Sequence, residues 1–323
     1  MPSRRHVLQS LALLPLASHQ VAKAAWPDKP LRLIVPSAAG GAPDVICRVL
    51  GAELARSLGQ AVVIDNKPGA SGNIGMQEIV RAAADGYTLG YGNVGTLAIN
   101  LSLFDRLPYQ PFTQLMPVAL LGSVQNALVV RNGLPVSSVK DLIAYARAQP
   151  GRLSMGSAGN GTTGHLGGEL FKSMSGTFMV HVPYRGSPQA INDLIGGQID
   201  LMFDNLSSIG PHIRQGRVKA LAVSAGRRSP AFPELPTVAE AGLPGYEMSA
   251  WGGIVAPQGT PRDVVLRLNG EIGRIMTGAA LAERWASLSF EPSAGTPERL
   301  FELARREQPM WADVIKRSGA KVD

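Results

Sequence analysis

Short apolar runs alternate with longer stretches of helical spacing along most of the chain. The run at 31–35 is followed by a Gly-rich loop and then by apolar residues at helical spacing over 45–58. A second run at 62–65 leads through a loop holding Pro68 and Gly69 to a helix over 74–84. A third, at 88–92, leads to Asn93-Val94-Gly95-Thr96. The same grammar then restarts. It predicts strands at 127–130, 153–156, 178–182, 201–203 and 220–223, and helices over 139–149, 165–174, 188–196 and 210–215. Either Ser137 or Ser138 caps the helix at 139. Strands that alternate with helices imply α/β architecture, with mostly parallel sheets and helices on both faces. After a short strand at 252–254 the pattern changes to three amphipathic helices, 261–277, 281–288 and 297–318. Thr260 and Thr296 are placed to cap the first and last of them, each ahead of a proline at the first helical position. A helical tail of this kind packs back on the first α/β unit.

The N-terminus departs from this pattern. Arg4-Arg5 precedes an apolar run over 8–17, and small residues follow up to Ala22-Lys23-Ala24. This is the order of a secretory signal, with the cut expected between Ala24 and Ala25. The apolar run is shorter than the ~20 residues a membrane span needs. The arginine pair also suits a twin-arginine address. The leader, 1–24, carries Arg4, Arg5 and Lys23 and no acid, so the formal charge of +7 falls by three without it. The remaining excess is scattered in pairs such as Arg227-Arg228, with no basic stripe, which argues against nucleic-acid binding. The remaining length of about 300 residues exceeds a comfortable single core, so two domains are expected. Cys47 is the one cysteine. It excludes an internal disulfide and a thiolate zinc site, and its apolar surroundings predict a buried, inert thiol.

Three loops follow a strand and precede a helix, where ligands sit in open α/β sheets. In 36–44, Gly40 and Gly41 can adopt positive φ, and the loop admits two readings: an amide cradle for a carboxylate, or a tight turn with Asp44 capping the helix. The loop over 157–165 spells G-x-G-x-x-G with Gly159, Gly161 and Gly164. The strand after it ends Val180-His181-Val182 without the acid that holds a ribose, so a dinucleotide site is not indicated. The loop over 66–73 has the same small, turn-rich character. Asp204-Asn205 ends a strand and either reaches a cleft or makes a turn. His165, at a helix start, either orients a ligand or makes a structural hydrogen bond. G-x-S-x-G, H-E-x-x-H and phosphate-loop motifs are missing from the sequence, and the histidines are not at metal-ligand spacing. No catalytic residue, metal or cofactor is indicated.

Taken together these loops resemble the receptors of tripartite tricarboxylate transporters, the Bug family. The resemblance lies in Trp26-Pro27-Asp28-Lys29-Pro30, Val35-Pro36-x-Ala38-Ala39-Gly40-Gly41 and Asn66-Lys67-Pro68-Gly69-Ala70-x-Gly72-Asn73-Ile74-Gly75. It continues through Val182-Pro183-Tyr184-Arg185-Gly186, the stretch from Gly197-Gln198 to Asp204-Asn205, and Pro236-Thr237-Val238-x-Glu240-Ala241-Gly242. It implies a two-lobed periplasmic-binding-protein type II fold, with lobe 1 formed by 25–124 and 248–323 and lobe 2 by 125–247. The C-terminal helices would pack on lobe 1. It also implies a hinged cleft that closes on a small carboxylate, held by backbone amides and bridging waters. Ser37, Gly41, Ala42, Ser71, Gly72 and Thr96 would line the first lobe, and Asn160, Thr162, Tyr184 and Asn205 the second. The implied partners are membrane permease subunits or a sensor kinase ectodomain, and the implied location is the periplasm. The alternative is an exported hydrolase or isomerase on the same scaffold, which would need a nucleophile–base pair. Four features depart from the family pattern: Ser37 where an aromatic is usual, Pro43 where Thr or Ser is usual, Leu101 in place of Pro, and 107–114 without the usual Asp-rich pattern. Loss of the aromatic and of one N–H donor implies a wider or wetter pocket.

Overall fold

The computed structural model describes residues 26–322, so the leader expected at 1–24 lies outside the described residues. The first five elements are β1 (Leu31–Val35), α1 (Ala42–Leu58), β2 (Val62–Asn66), α2 (Asn73–Arg81) and β3 (Thr88–Asn93). Strand alternation decides the layers. Leu33 and Val35 face α1, packing with Ile46, Cys47, Leu50 and Leu54, which recur at helical spacing. Ile34 faces the other way, toward Met76, Ile79 and Leu97. Cys47 is fully buried, and burial pushes its thiol well above the ordinary range, so it is inert as expected.

After β3 the chain winds into one wide helical turn, Gly95–Ile99, which runs on into α3 (Asn100–Leu103). A short α4 (Pro111–Gln114) leads to β4 (Leu115–Val130), far longer than the predicted 127–130. Its earlier part reads in sequence as an apolar run interrupted by Pro117 and Gly122, a pattern that does not distinguish strand from helix. In the fold it is buried between α9 (Arg262–Thr277) on one side and α11 (Arg299–Ser318) on the other, so no alternation is needed. Its register slips near Pro117 and again near Gly122. Gly122 has φ +145°, and a Cβ there would lie 2.1 Å from the Glu291 carbonyl oxygen. Only glycine lets the crossing β10 (Phe290–Pro292) approach at this point.

The second α/β unit holds α5 (Val139–Ala148), β5 (Ser154–Ser157), α6 (Thr163–Ser175), β6 (Val180–Pro183), α7 (Ser187–Ile195), β7 (Leu201–Asn205), α8 (Leu206–Arg214) and β8 (Lys219–Val223). Ser138, not Ser137, caps α5 by accepting from the Asp141 N–H. β9 (Ser249–Pro257) and α10 (Ala282–Ser287) complete the chain. Neither Thr260 nor Thr296 caps a helix. Pro261 and Glu298 are the N-cap residues and make no side-chain cap, while the Thr260 hydroxyl turns back to the Pro257 carbonyl.

The strand order is β2-β1-β3-β9-β4-β7-β5-β6, with β8 and β10 also pairing β4. The two flanks, β2-β1-β3 and β6-β5-β7, are parallel as the alternation implies. β4 and β9 join them with antiparallel pairings. Fully buried Ser224 ties the two joining segments together. Its hydroxyl accepts from the Asn126 N–H at 3.0 Å and donates to the Met248 carbonyl at 2.7 Å. α9 packs on α1 and β4. α11 packs on the turn at 95–99, α3 and β4, and also reaches α6 of the second unit.

Candidate functional site

A cavity of about 420 Å³ lies between the two parallel flanks, at the ends of strands where the Gly-rich loops emerge. All ten residues expected at the site line it: Ser37, Gly41, Ala42, Ser71, Gly72 and Thr96 from one side, Asn160, Thr162, Tyr184 and Asn205 from the other. The N-cap residues of five α-helices line the same cavity: Gly41 of α1, Gly72 of α2, Thr162 of α6, Gly186 of α7 and Asn205 of α8. Each helix start leaves N–H groups without intrahelical acceptors and carries the positive end of its dipole. Among the described residues only Arg185 and Asp204 bring a charged side chain to the wall.

Local bonding decides which lining groups are free. The first loop is a tight turn, although the N-cap of α1 is Gly41 and Asp44 does not cap the helix. Asp44, the third residue of α1, accepts the Gly40 N–H at 2.8 Å and the Arg48 Nε at 3.0 Å, and this fixes the turn. The hydrogen bonds and charge of Arg48 and the Gly40 amide hold its carboxyl below the usual range despite burial. Gly41 donates its N–H to the Ala38 carbonyl at 3.3 Å, so the expected cradle of Gly40 and Gly41 amides is already occupied. Ala42, at the first helical position, carries an N–H that the helix does not use. Asn66 donates to the Ser37 carbonyl and accepts from Arg48, bracing the loop from β2. In the loop over 66–73, four successive residues have positive φ: Gly69 (+116°), Ala70 (+46°), Ser71 (+56°) and Gly72 (+87°). Two are not glycine, and strain of this kind concentrates at ligand clamps. Asn100 holds the Ser71 carbonyl at 3.0 Å. The Thr96 hydroxyl is bonded to Asn93.

The second wall is held by buried side chains. Thr162 accepts the His165 N–H and donates to the Gly159 carbonyl at 2.7 Å, closing the glycine loop on itself. His165 accepts the Gly161 N–H on Nδ1 at 3.1 Å, so its role is structural and its proton sits on Nε2. Its ring stacks on His181 with centroids 4.1 Å apart. Burial first, then the charge of His181 and of Lys172, drives His165 down to about 3; burial and Lys172 drive His181 to about 4. His181 Nε2 lies 2.7 Å from the Ser157 hydroxyl. That is a nucleophile–base distance, but Ser157 is fully buried, bonds to Gly159 and does not line the cavity. The Tyr184 hydroxyl is taken by Asp193 on α7 at 2.7 Å.

Three wall oxygens remain buried and without a partner: Ser37 Oγ, Asp204 Oδ2 and Asn205 Oδ1. The aromatic walls come from Tyr91, Phe104, Trp251 and Phe290, none of which the loop motifs flag. Tyr91 lies on β3 and Phe104 just after α3, while β9 and β10 bring in Trp251 and Phe290 from far along the chain. Trp251 is fixed by donating to Glu307 on α11 at 2.7 Å. The two lips nearly touch. A Cβ on Gly186 would lie 2.6 Å from the Ala38 Cβ, and one on Gly95 3.2 Å from the Gly161 carbonyl oxygen.

A two-walled α/β fold with an amide-rimmed cleft defines the class of periplasmic solute-binding proteins. Residues 46–320 match the model of the tripartite tricarboxylate transporter family receptor, and the chain belongs to that family. The chain is 37% identical to protein BugT of Bordetella pertussis, over 92% of this chain and 91% of that one. A protein of R. palustris solved with adipate superposes with a TM-score of 0.90 at 38% identity, covering 92% of this chain and 100% of the other. MatC from Rhodopseudomonas palustris with bound malate gives a TM-score of 0.85 at 33% identity, over 90% and 100%. No helix among the described residues is long and apolar enough to cross a membrane.

Proposed function

We propose that this protein captures a small carboxylate between two lobes, 25–124 with 248–323 and 125–247, and delivers it to membrane permease subunits of a tripartite transporter. One observation carries this reading: five helix N-termini converge on one cavity whose wall, among the described residues, has a single basic side chain, Arg185. Free amides and dipoles can neutralise a carboxylate there without an ion pair. Helix starts come from both walls, so the ligand bridges them and stabilises the closed form. β4 and β9, joined by Ser224, are the flexible connection. The ten lining residues expected from sequence form the contact surface. Ser71, Ala42 and Asn160 offer groups to the ligand, while Thr96, Thr162 and Tyr184 shape the wall through their own bonds. The arginine-led leader at 1–24 exports the chain to the periplasm.

The test is thermal unfolding of the purified protein against mono-, di- and tricarboxylates. A bound acid at a hundredfold excess over its Kd adds about 2.7 kcal/mol. Absence of any shift across the panel would sink the carboxylate reading.

A further inference from the structure

Asp204 is the group in the cavity wall that carboxylate capture leaves unused. It sits at the end of β7, directly opposite Ala127 of β4, and is 4% exposed. Its Oδ1 accepts from the Ser187 hydroxyl at 2.7 Å. Its Oδ2 is buried with no partner, and among the described residues no cationic group is paired with it. An ionised carboxylate oxygen is an acceptor only. Leaving such an oxygen without a donor costs more than leaving an exposed one, because water cannot replace the missing bond. Asn205 Oδ1 beside it and Ser37 Oγ on the facing wall are buried and unpartnered too. The cavity therefore has two chemistries. Helix starts supply donors for an anion, and Asp204 at the end of β7 lines the same cavity with a buried oxygen that lacks a donor.

We propose that Asp204 Oδ2 accepts a hydrogen bond from the bound ligand, so that the cleft selects carboxylates that also carry an amino or hydroxyl group over unsubstituted acids of the same length. This rests on the carboxylate reading above and narrows it. The helix N-termini hold the ligand carboxylate, and Asp204 reads the second group. Burial raises Asp204 to about 7, against the pull of Ser187 and the Asn205 backbone, so the acceptor form prevails above that pH. A site built around such an acceptor discriminates against a ligand without the donor, because the acceptor then stays unpaired.

The measurement is calorimetric Kd on the full exported chain, using matched acids: succinate, malate and aspartate, then adipate and 2-aminoadipate. The amino or hydroxy member of each set binds about tenfold or more tightly than its unsubstituted partner. In Asp204→Asn that ratio falls to within about threefold. Equal or tighter binding of the unsubstituted acids to the wild-type protein overturns the proposal without any variant. Such binding means a proton on Asp204 donates to the ligand, or water fills the position. A ratio unchanged in Asp204→Asn overturns it as well. If acids bind without discrimination, only this inference fails; if no acid binds, the carboxylate reading fails with it.

Discussion

The two walls of the cleft reach a similar surface by different physics. The first wall is made of backbone. Its loops depend on left-handed residues at 69–72 and on a turn that Asp44 ties to Gly40. The charged groups beside these loops lie toward solvent, in the Arg32, Asp65, Lys67 and Glu78 cluster, or are ion-paired as Asp44 is with Arg48. The second wall is made of buried side chains. Ser157, His165, His181, Ser187 and Asp204 support its loops, and the two imidazoles and the carboxyl are held far from their ordinary protonation ranges. One wall is thus specified by conformational permission and the other by hydrogen bonds that need a particular protonation state.

The comparison breaks most visibly where the walls meet. A Cβ on Gly186 overlaps Ala38, so Gly186→Val acts as a wedge that keeps the lips apart. Its backbone is extended there, which any residue adopts. Overpacking of this kind costs 1–3 kcal/mol, so carboxylate affinity falls by about tenfold to hundredfold while stability without ligand stays near that of the wild type. Titration calorimetry beside thermal unfolding checks both halves. Unaltered affinity would mean the lip contact has no part in the bound form.

Acidification acts on the second wall. The folded imidazoles of His165 and His181 titrate at about 3 and about 4, below the ordinary value near 6.5. The unfolded chain therefore takes up protons first, and stability falls as pH drops below about 6.5. Asp204, raised to about 7 in the fold, acts in the opposite sense and gains stability over the same range. Two imidazoles against one carboxyl leave a net loss of about 1 kcal/mol per pH unit between pH 6 and pH 5. Unfolding midpoints across that range should fall, less steeply in His181→Asn and more steeply in Asp204→Asn. A midpoint that rises on acidification would show that the imidazoles do not control this wall.

The smallest effect sharpens the contrast by its sign. Ser71 has φ +56°, so Ser71→Gly relieves backbone strain and stabilises the fold by about 0.5 kcal/mol after the entropy cost of glycine. Thr162→Ala on the second wall removes the α6 cap and destabilises by about 1 kcal/mol. Denaturant midpoints of the two variants would move in opposite directions. Movement in the same direction would show that the walls do not differ in this way.

The first wall was legible because glycine, proline and cap residues report local backbone geometry. The turns at 36–44 and 66–73 were readable on that basis, and the flanking strands and helices followed from hydrophobic period. The second wall was legible only in outline. The G-x-G-x-x-G letters located a turn, but nothing in them shows that His165 serves Gly161, or that His181 from the next strand stacks on it. Asp204 reads in sequence as a cleft residue or a turn, and only the fold shows it at the end of β7, bonded to Ser187 and lining the cavity.

By itself, the sequence determined the α/β alternation, the parallel flanks, the helical C-terminal stretch and the loops at strand ends, since each depends on neighbours within a few residues. Only the tertiary structure decided the length of β4, the aromatic wall from Tyr91, Trp251 and Phe290, the bonding of Gly40 and Gly41, and which oxygens remain free for a ligand. Those depend on contacts between segments tens to hundreds of residues apart, and the energy of a buried donor or acceptor is set by what folding places against it.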